Sequence, residues 1–119
     1  MANKLFGTDG VRGTANVYPM TAEFAFNLAC VLSKLICKKK KCVAIGKDTR
    51  ISGDMLEAAL SAGFTANGVS VISLGIVPTP LVTLEAKNLD IDMALMITAS
   101  HNPYQDNGIK LIDRNGDKF

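Results

Sequence analysis

The chain of 119 residues reads as an α/β protein, a three-layer α/β/α sandwich around a largely parallel, mixed sheet. Three short apolar runs, Cys42 to Ile45, Val69 to Leu74 and Met93 to Ile97, have the length of strands but no polar alternation, as strands covered on both faces do. Helical patterns separate them, and strand, helix, strand alternation implies right-handed crossovers and a sheet with helices on both sides.

In chain order, Thr21 is placed to cap a first helix, in which Phe24, Ala25, Leu28, Val31, Leu32 and Leu35 recur at three- and four-residue spacing and predict one buried face. Lys38 to Lys41 end it. Cys42 to Ile45 is a buried strand, and Gly46 to Gly53 a polar loop leading into a second helix of about Asp54 to Asn67. Asp54 and Glu57 form a plausible capping pair there, and Asn67-Gly68 a stop. Val69 to Leu74 is the next strand. Thr79 to Asn88 forms a third helix with Pro80 in its first turn, where a missing N–H costs nothing. Met93 to Ile97 is a strand, and Ile109 to Asp113, Asn115-Gly116 and Lys118-Phe119 predict a hairpin whose second strand has barely begun.

Composition bounds the function class. Hydrophobic residues make up 48% and charged residues 20%, ordinary for a single globular domain. A net charge of +2 is too small to argue for nucleic acid. The lysine run 38–41 suits a helix C-terminus, where cations favour the macrodipole, better than a nucleic-acid patch. Cys30, Cys37 and Cys42 are odd in number and lack metal-site spacing, so they read as small apolar side chains in a reduced compartment. The N-terminus lacks the apolar core of a secretory signal, and no run approaches the roughly 18 apolar residues of a membrane span. Partners are therefore expected to include neither nucleic acid nor membrane, and the cytoplasm is the natural home.

Chemistry points to Thr98-Ala99-Ser100-His101-Asn102-Pro103, directly after a buried strand, where open α/β sheets bind ligands. Ser100 allows three readings. It is a turn former among others; or a hydrolytic serine with His101 as base, although adjacent side chains on an extended segment point apart and no Gly-x-Ser-x-Gly elbow is present; or a hydroxyl that carries a phosphoryl group, which adds roughly −1.5 to −2 charge at pH 7 and calls for nearby cations.

This run, with Asn107-Gly108-Ile109-Lys110, resembles the phosphoserine loop of the α-D-phosphohexomutases. Phe6 to Gly13 (Phe-Gly-Thr-Asp-Gly-Val-Arg-Gly) resembles the opening of the branch acting on glucosamine phosphates, and Gly46-Lys47-Asp48-Thr49-Arg50 with Ser52-Gly53 is a third match. The resemblance implies the first domain of a four-domain enzyme that interconverts glucosamine 6-phosphate and glucosamine 1-phosphate through a phosphoserine and a bisphosphorylated sugar. Phosphomannomutase or phosphoglucomutase activity, or a non-catalytic domain that binds sugar phosphates or a partner, are the alternatives.

By that resemblance Ser100 carries the phosphoryl group, Arg12 lies in the active site, and Lys110 is the candidate general acid/base. Arg12 is expected in a turn flanked by Gly10 and Gly13. Arg50 either contacts phosphate or pairs with Asp48 or Asp54 to pin its loop, Lys47 is a weaker candidate of the same kind, and His101 assists phosphate or orients the loop. The implied cofactor is Mg2+, held by a Ser100 phosphate oxygen and three aspartates of an Asp-Gly-Asp-x-Asp-Arg loop that this sequence lacks. Asp113, Asn115 and Asp117 read as turn formers instead. The implied partners are a hexosamine phosphate substrate and the remaining domains of the same enzyme. On this expectation the 119 residues are incomplete at their C-terminal end and inactive as a mutase alone.

Overall fold

The computed structural model describes residues 10–119; Phe6 to Asp9 of the opening motif lie outside the described residues. The elements in order are β1 (Val11–Thr14), α1 (Ala22–Leu35), β2 (Cys42–Lys47), α2 (Ser52–Ala66), β3 (Ser70–Ile76), α3 (Thr79–Asn88), β4 (Met93–Ile97) and β5 (Asp106–Asp113). They form one five-stranded sheet in the order β1-β5-β4-β2-β3. The sheet is mixed: β3 and β4 both run parallel to β2, whereas β5 is antiparallel to both β4 and β1. Its parallel share is thus limited to β3, β2 and β4. Loop 98–105 is too short for the dozen or so residues of a parallel crossover, so the chain must return as an antiparallel neighbour of β4.

Strand alternation divides the core in two. Val43, Ile45, Met93, Leu95, Ile97 and Ile109 share one cluster with Ala25, Ala29 and Leu32 of α1 and Leu56, Leu60 and Phe64 of α2. Ala44, Ala94, Met96 and Ile112 face the other way, onto Val82 and Ala86 of α3. The three layers follow directly. Every residue of β4 is buried, which explains its unbroken apolar sequence, Met-Ala-Leu-Met-Ile.

Helix α1 begins as expected, with the Thr21 hydroxyl accepting from Phe24 N at 3.1 Å. Its buried stripe differs from the expected one: Ala25, Ala29, Leu32 and Ser33 are buried, while Val31 and Leu35 are 50% and 69% exposed. At 3.6 residues per turn, Val31 and Leu35 lie roughly 100° around the helix from that stripe. The small residues win the inner face because α2 approaches closely. A Cβ on Gly63 would lie 2.5 Å from Phe26 O and 2.6 Å from the Ala29 Cβ, so the crossing of α1 and α2 depends on a glycine.

Two further boundaries move. β2 continues through Gly46 and Lys47, and α2 starts at Ser52, two residues before the expected Asp54. The Asp54–Glu57 capping pair does not form, since no side chain caps α2. Both carboxylates instead take Lys47 Nζ, each at 2.6 Å, and Glu57 also accepts from the Ser73 hydroxyl at 2.6 Å. Lys47 is thereby committed to fastening α2 onto the end of β2, and its pKa is raised chiefly by the hydrogen bond to Asp54, then by that to Glu57. At the other end of α2 the Asn67-Gly68 stop holds, with Gly68 at a φ of +77°. The second expected strand, Val69 to Leu74, shifts to Ser70–Ile76, and as an edge strand it leaves Ile72 and Ile76 partly exposed. Thr79–Asn88 and Met93–Ile97 match their expected bounds.

The terminal hairpin turns on Asp113, whose Oδ1 accepts from Asn115 N at 2.8 Å and Asp117 N at 3.0 Å; the three residues form a turn, as expected. Cys37 is buried, and Cys30 and Cys42 are half-buried, all as free thiols. Among the described residues no helix is long and apolar enough to cross a membrane.

Two stability predictions follow from this packing. Gly63→Ala should cost about 1–3 kcal/mol, because the added methyl must push two helix backbones apart; a denaturation midpoint equal to wild type would show that α1 can slide away freely. The second concerns alkali. Burial, with Asp92 and Cys42 adding to it, pushes the Cys37 thiol from 9.0 up to about 12. The unfolded chain therefore releases that proton at lower pH than the folded one, and the stabilisation is complete below about pH 9 and lost as pH rises towards 12. Urea midpoints should fall across this window, and the fall should be shallower in Cys37→Ala; parallel slopes for the two proteins would refute the assignment to Cys37.

Candidate active site

The site lies where β4 ends and its loop turns into β5. Ser100 has a φ of +52°, in the left-handed region that side chains disfavour. Its hydroxyl is the meeting point of two cations: Lys110 Nζ lies 3.1 Å from Oγ, and Arg12 Nη2 lies 3.4 Å from it. Arg12 also donates through Nη1 to Asn102 Oδ1 at 3.2 Å.

Strand pairing explains the convergence. Arg12 sits on β1 opposite Gly108, and Lys110 on β5 opposite Met96. Arg12 and Lys110 therefore project from the same face of the sheet, two positions apart on adjacent strands. Gly108 is required between them: a Cβ there would lie 2.7 Å from both Thr98 O and Val11 O and 3.0 Å from Arg12 Cγ. The expected turn at Arg12 is thus a strand, which holds the guanidinium more firmly than a loop would. Lys110 likewise stands on a strand inside the sheet, with β1 and β4 on either side.

Arg50 meets the loop through backbone atoms, its Nη2 donating to Asn102 O at 2.7 Å and Ser100 O at 3.2 Å. Its Nη1 pairs with Asp48 Oδ2 at 2.5 Å. Between the two expected roles, the geometry favours the loop pin, and the partner is Asp48; Asp54 is taken by Lys47. His101 is exposed on the loop beside Ser100. The structure brings Ser100, Arg12 and Lys110 together at one oxygen and places Arg50 behind them.

Four polar residues were not singled out beforehand. Asn102 bridges Arg12 and Asp106, its Nδ2 donating to Asp106 Oδ2 at 3.1 Å; Asp106 Oδ1 in turn accepts from the Thr14 hydroxyl at 3.3 Å. Asn107 is fully buried and ties β5 to the start of α2 through Ser52 Oγ at 2.8 Å. Each lies in or beside a motif that was quoted, but a turn former and a network asparagine look alike in sequence. Among the described residues no three His, Cys, Asp or Glu side chains converge as metal ligands.

Comparison with known proteins identifies the family to which this fold belongs. Residues 3–119 match the family model described as phosphoglucomutase/phosphomannomutase, alpha/beta/alpha domain I. A phosphoglucosamine mutase of Dinoroseobacter shibae is 52% identical over 122 aligned positions, covering all of this chain and 27% of that protein. One from Rhodospirillum rubrum is 53% identical over 117 positions, covering 97% of this chain and 26% of that protein. The chain thus spans about a quarter of the length of these curated relatives, matching their N-terminal portion. Among solved structures, a phosphoglucomutase/phosphomannomutase family protein from Burkholderia thailandensis superposes with a TM-score of 0.81 at 29% identity, over 97% of this chain and 27% of that one. A loop, strand and helix arrangement shared at that level, with a family match over nearly every residue, leaves one conclusion: the chain belongs to the phosphoglucomutase/phosphomannomutase family, as its α/β/α domain I.

Proposed function

We propose that the protein to which this domain belongs is a phosphohexomutase that interconverts glucosamine 6-phosphate and glucosamine 1-phosphate in the bacterial cytoplasm, with Ser100 as the phosphoryl carrier. The observation that carries this reading is the convergence of Lys110 and Arg12 on a single serine oxygen. A neutral hydroxyl needs no such company; a phosphoryl group and the oxygen left behind when it departs do. Phosphoryl transfer passes through a loose transition state in which catalysis is positioning plus cationic stabilisation. In the forward half-reaction the Ser100 Oγ–P bond breaks, phosphorus bonds to a sugar hydroxyl oxygen, and that hydroxyl's proton is passed on. Lys110 is the candidate acceptor: as the free amine it takes that proton, and as the ammonium so formed it joins Arg12 in meeting the charge that grows on Oγ. The bisphosphorylated sugar then reorients and returns its other phosphoryl group to Ser100.

The choice of glucosamine rests on the curated relatives at 52% and 53% identity being named phosphoglucosamine mutases. Mannose or glucose phosphates are the alternative suggested by the broader family name. Mg2+ is expected in the whole enzyme, where it would supply Lewis-acid neutralisation of the phosphoryl oxygens. Among the described residues no cluster of carboxylates makes a site for it: a Ser100 phosphate oxygen is the one ligand we assign to this domain, and we assign the remainder to the rest of the protein. No step above is routed through the metal.

Two measurements test the reading. Peptide mass spectrometry on the whole enzyme should locate a phosphoryl group on Ser100, and Ser100→Ala should abolish turnover even with bisphosphorylated sugar supplied; phosphate confined to another residue would sink the proposal. Lys110→Ala and Arg12→Ala should each lower kcat by about 10²–10³-fold with Tm shifted by only a few degrees. A comparable loss of folded protein in both variants would assign these residues to the scaffold.

A further inference from the structure

The left-handed conformation of Ser100 needs support, and the hydrogen bonds around it have a definite direction. The Thr98 hydroxyl has one proton to give. It lies 2.7 Å from Asp48 Oδ2, and a carboxylate paired with an arginine only accepts, so the proton points to Asp48. The lone pairs of Thr98 Oγ1 are then turned towards the Ser100 amide, which donates to it at 3.0 Å. Asp48 is held in turn: its Oδ1 accepts from Arg50 N at 3.0 Å, and its own amide donates to Ile97 O at 3.1 Å. The same carboxylate orients the Arg50 guanidinium, which grips Ser100 and Asn102 by their carbonyls. Both peptide groups flanking the Ser100 Cα are therefore fixed from one carboxylate, one through Thr98 and one through Arg50.

We infer that Asp48 is a positioning residue for phosphoryl transfer: through the Thr98 hydroxyl and the Arg50 guanidinium it holds Ser100 in the left-handed conformation that places Oγ at Lys110 and Arg12. Asp48 acts on the Ser100 hydroxyl only through Thr98 and Arg50 and takes no part in proton transfer. Its effect is on where the oxygen stands, and errors near 1 Å in such placement cost on the order of 10²-fold in rate. The inference rests on the reading of Ser100 as phosphoryl carrier.

Asp48→Asn and Thr98→Val in the whole enzyme test it. Each should lower kcat about 10- to 100-fold while KM for the sugar phosphate stays within about twofold, the pattern of an interaction that matters in the transition state. Thr98→Ser, which keeps the hydroxyl and its single proton, should recover most of the rate that Thr98→Val loses. The 31P NMR resonance of phosphorylated Ser100 should shift or split in Asp48→Asn and Thr98→Val, a readout independent of turnover. Unchanged kcat per folded molecule in Thr98→Val, or a Thr98→Ser variant as slow as Thr98→Val, would overturn the inference; if Asp48→Asn does not fold, the two Thr98 variants still decide it. A wild-type enzyme that carries phosphate on Ser100 but isomerises no sugar phosphate would defeat the functional reading, with the 31P comparison still reporting on Ser100 placement.

Discussion

The burial of β4 on both faces is the constraint from which the rest follows. All five residues of Met93–Ile97 lie inside, between the α1/α2 layer and α3, so the strand cannot carry a polar group and cannot shift in register without exposing one core to the other. Polar chemistry is therefore pushed to its end. The first residue past the strand is Thr98, whose amide still pairs with Gly108 O at 3.0 Å, and within two residues the chain is at the surface with Ser100 exposed. A rigid, doubly covered strand delivering a short polar loop is how α/β proteins hold a reactive group still without burying unsatisfied backbone.

Much of this was legible in the sequence because the informative signals were local. Thr79–Asn88 and Met93–Ile97 were bounded by proline or an abrupt change of polarity, and both came out residue for residue. Ser100, Arg12 and Lys110 were marked by motif. The failures were of a different physical kind. Spacing marks Val31 and Leu35 as apolar positions on a helix but cannot tell which apolar face a neighbour will cover; that depended on Gly63, on the next helix, allowing contact with Ala29. Asp54 and Glu57 have capping spacing, yet an ammonium from another element is a stronger partner for two carboxylates than a backbone amide, and Lys47 took both. The Thr98 to Asp48 bond joins residues fifty apart, and no local pattern reports on it.

The electrostatics near the site are layered by role. Lys47 is sequestered by two carboxylates with its side chain 15% exposed, and its raised pKa leaves it a protonated structural pin. Arg50 is neutralised by Asp48 and spends its Nη2 on the carbonyls of Ser100 and Asn102. Arg12 and Lys110 alone among these cations reach the serine oxygen. Lys47 and Arg50, quoted from one motif, are thus committed to building the loop by the carboxylates that stand beside them.

The mixed topology has a consequence for how this site assembles. Because β5 returns antiparallel to β4, Lys110 is only ten residues from Ser100 and meets it as soon as the β4–β5 hairpin closes. Arg12 is 88 residues away from Ser100 and arrives only when β1, a four-residue edge strand, pairs with β5. Loop-closure entropy makes the second contact the costlier one to form, and edge strands are among the elements that open most readily. Opening of β1 would take Arg12 from Ser100 while leaving Lys110, Arg50 and the Asp48–Thr98 support in place. The domain accordingly holds its serine and one cation through a compact hairpin and clamp, and completes the pair of cations through an edge strand, so the pairing of Val11–Thr14 with β5 is the step on which full charge complementarity to the phosphoryl group we propose for Ser100 depends.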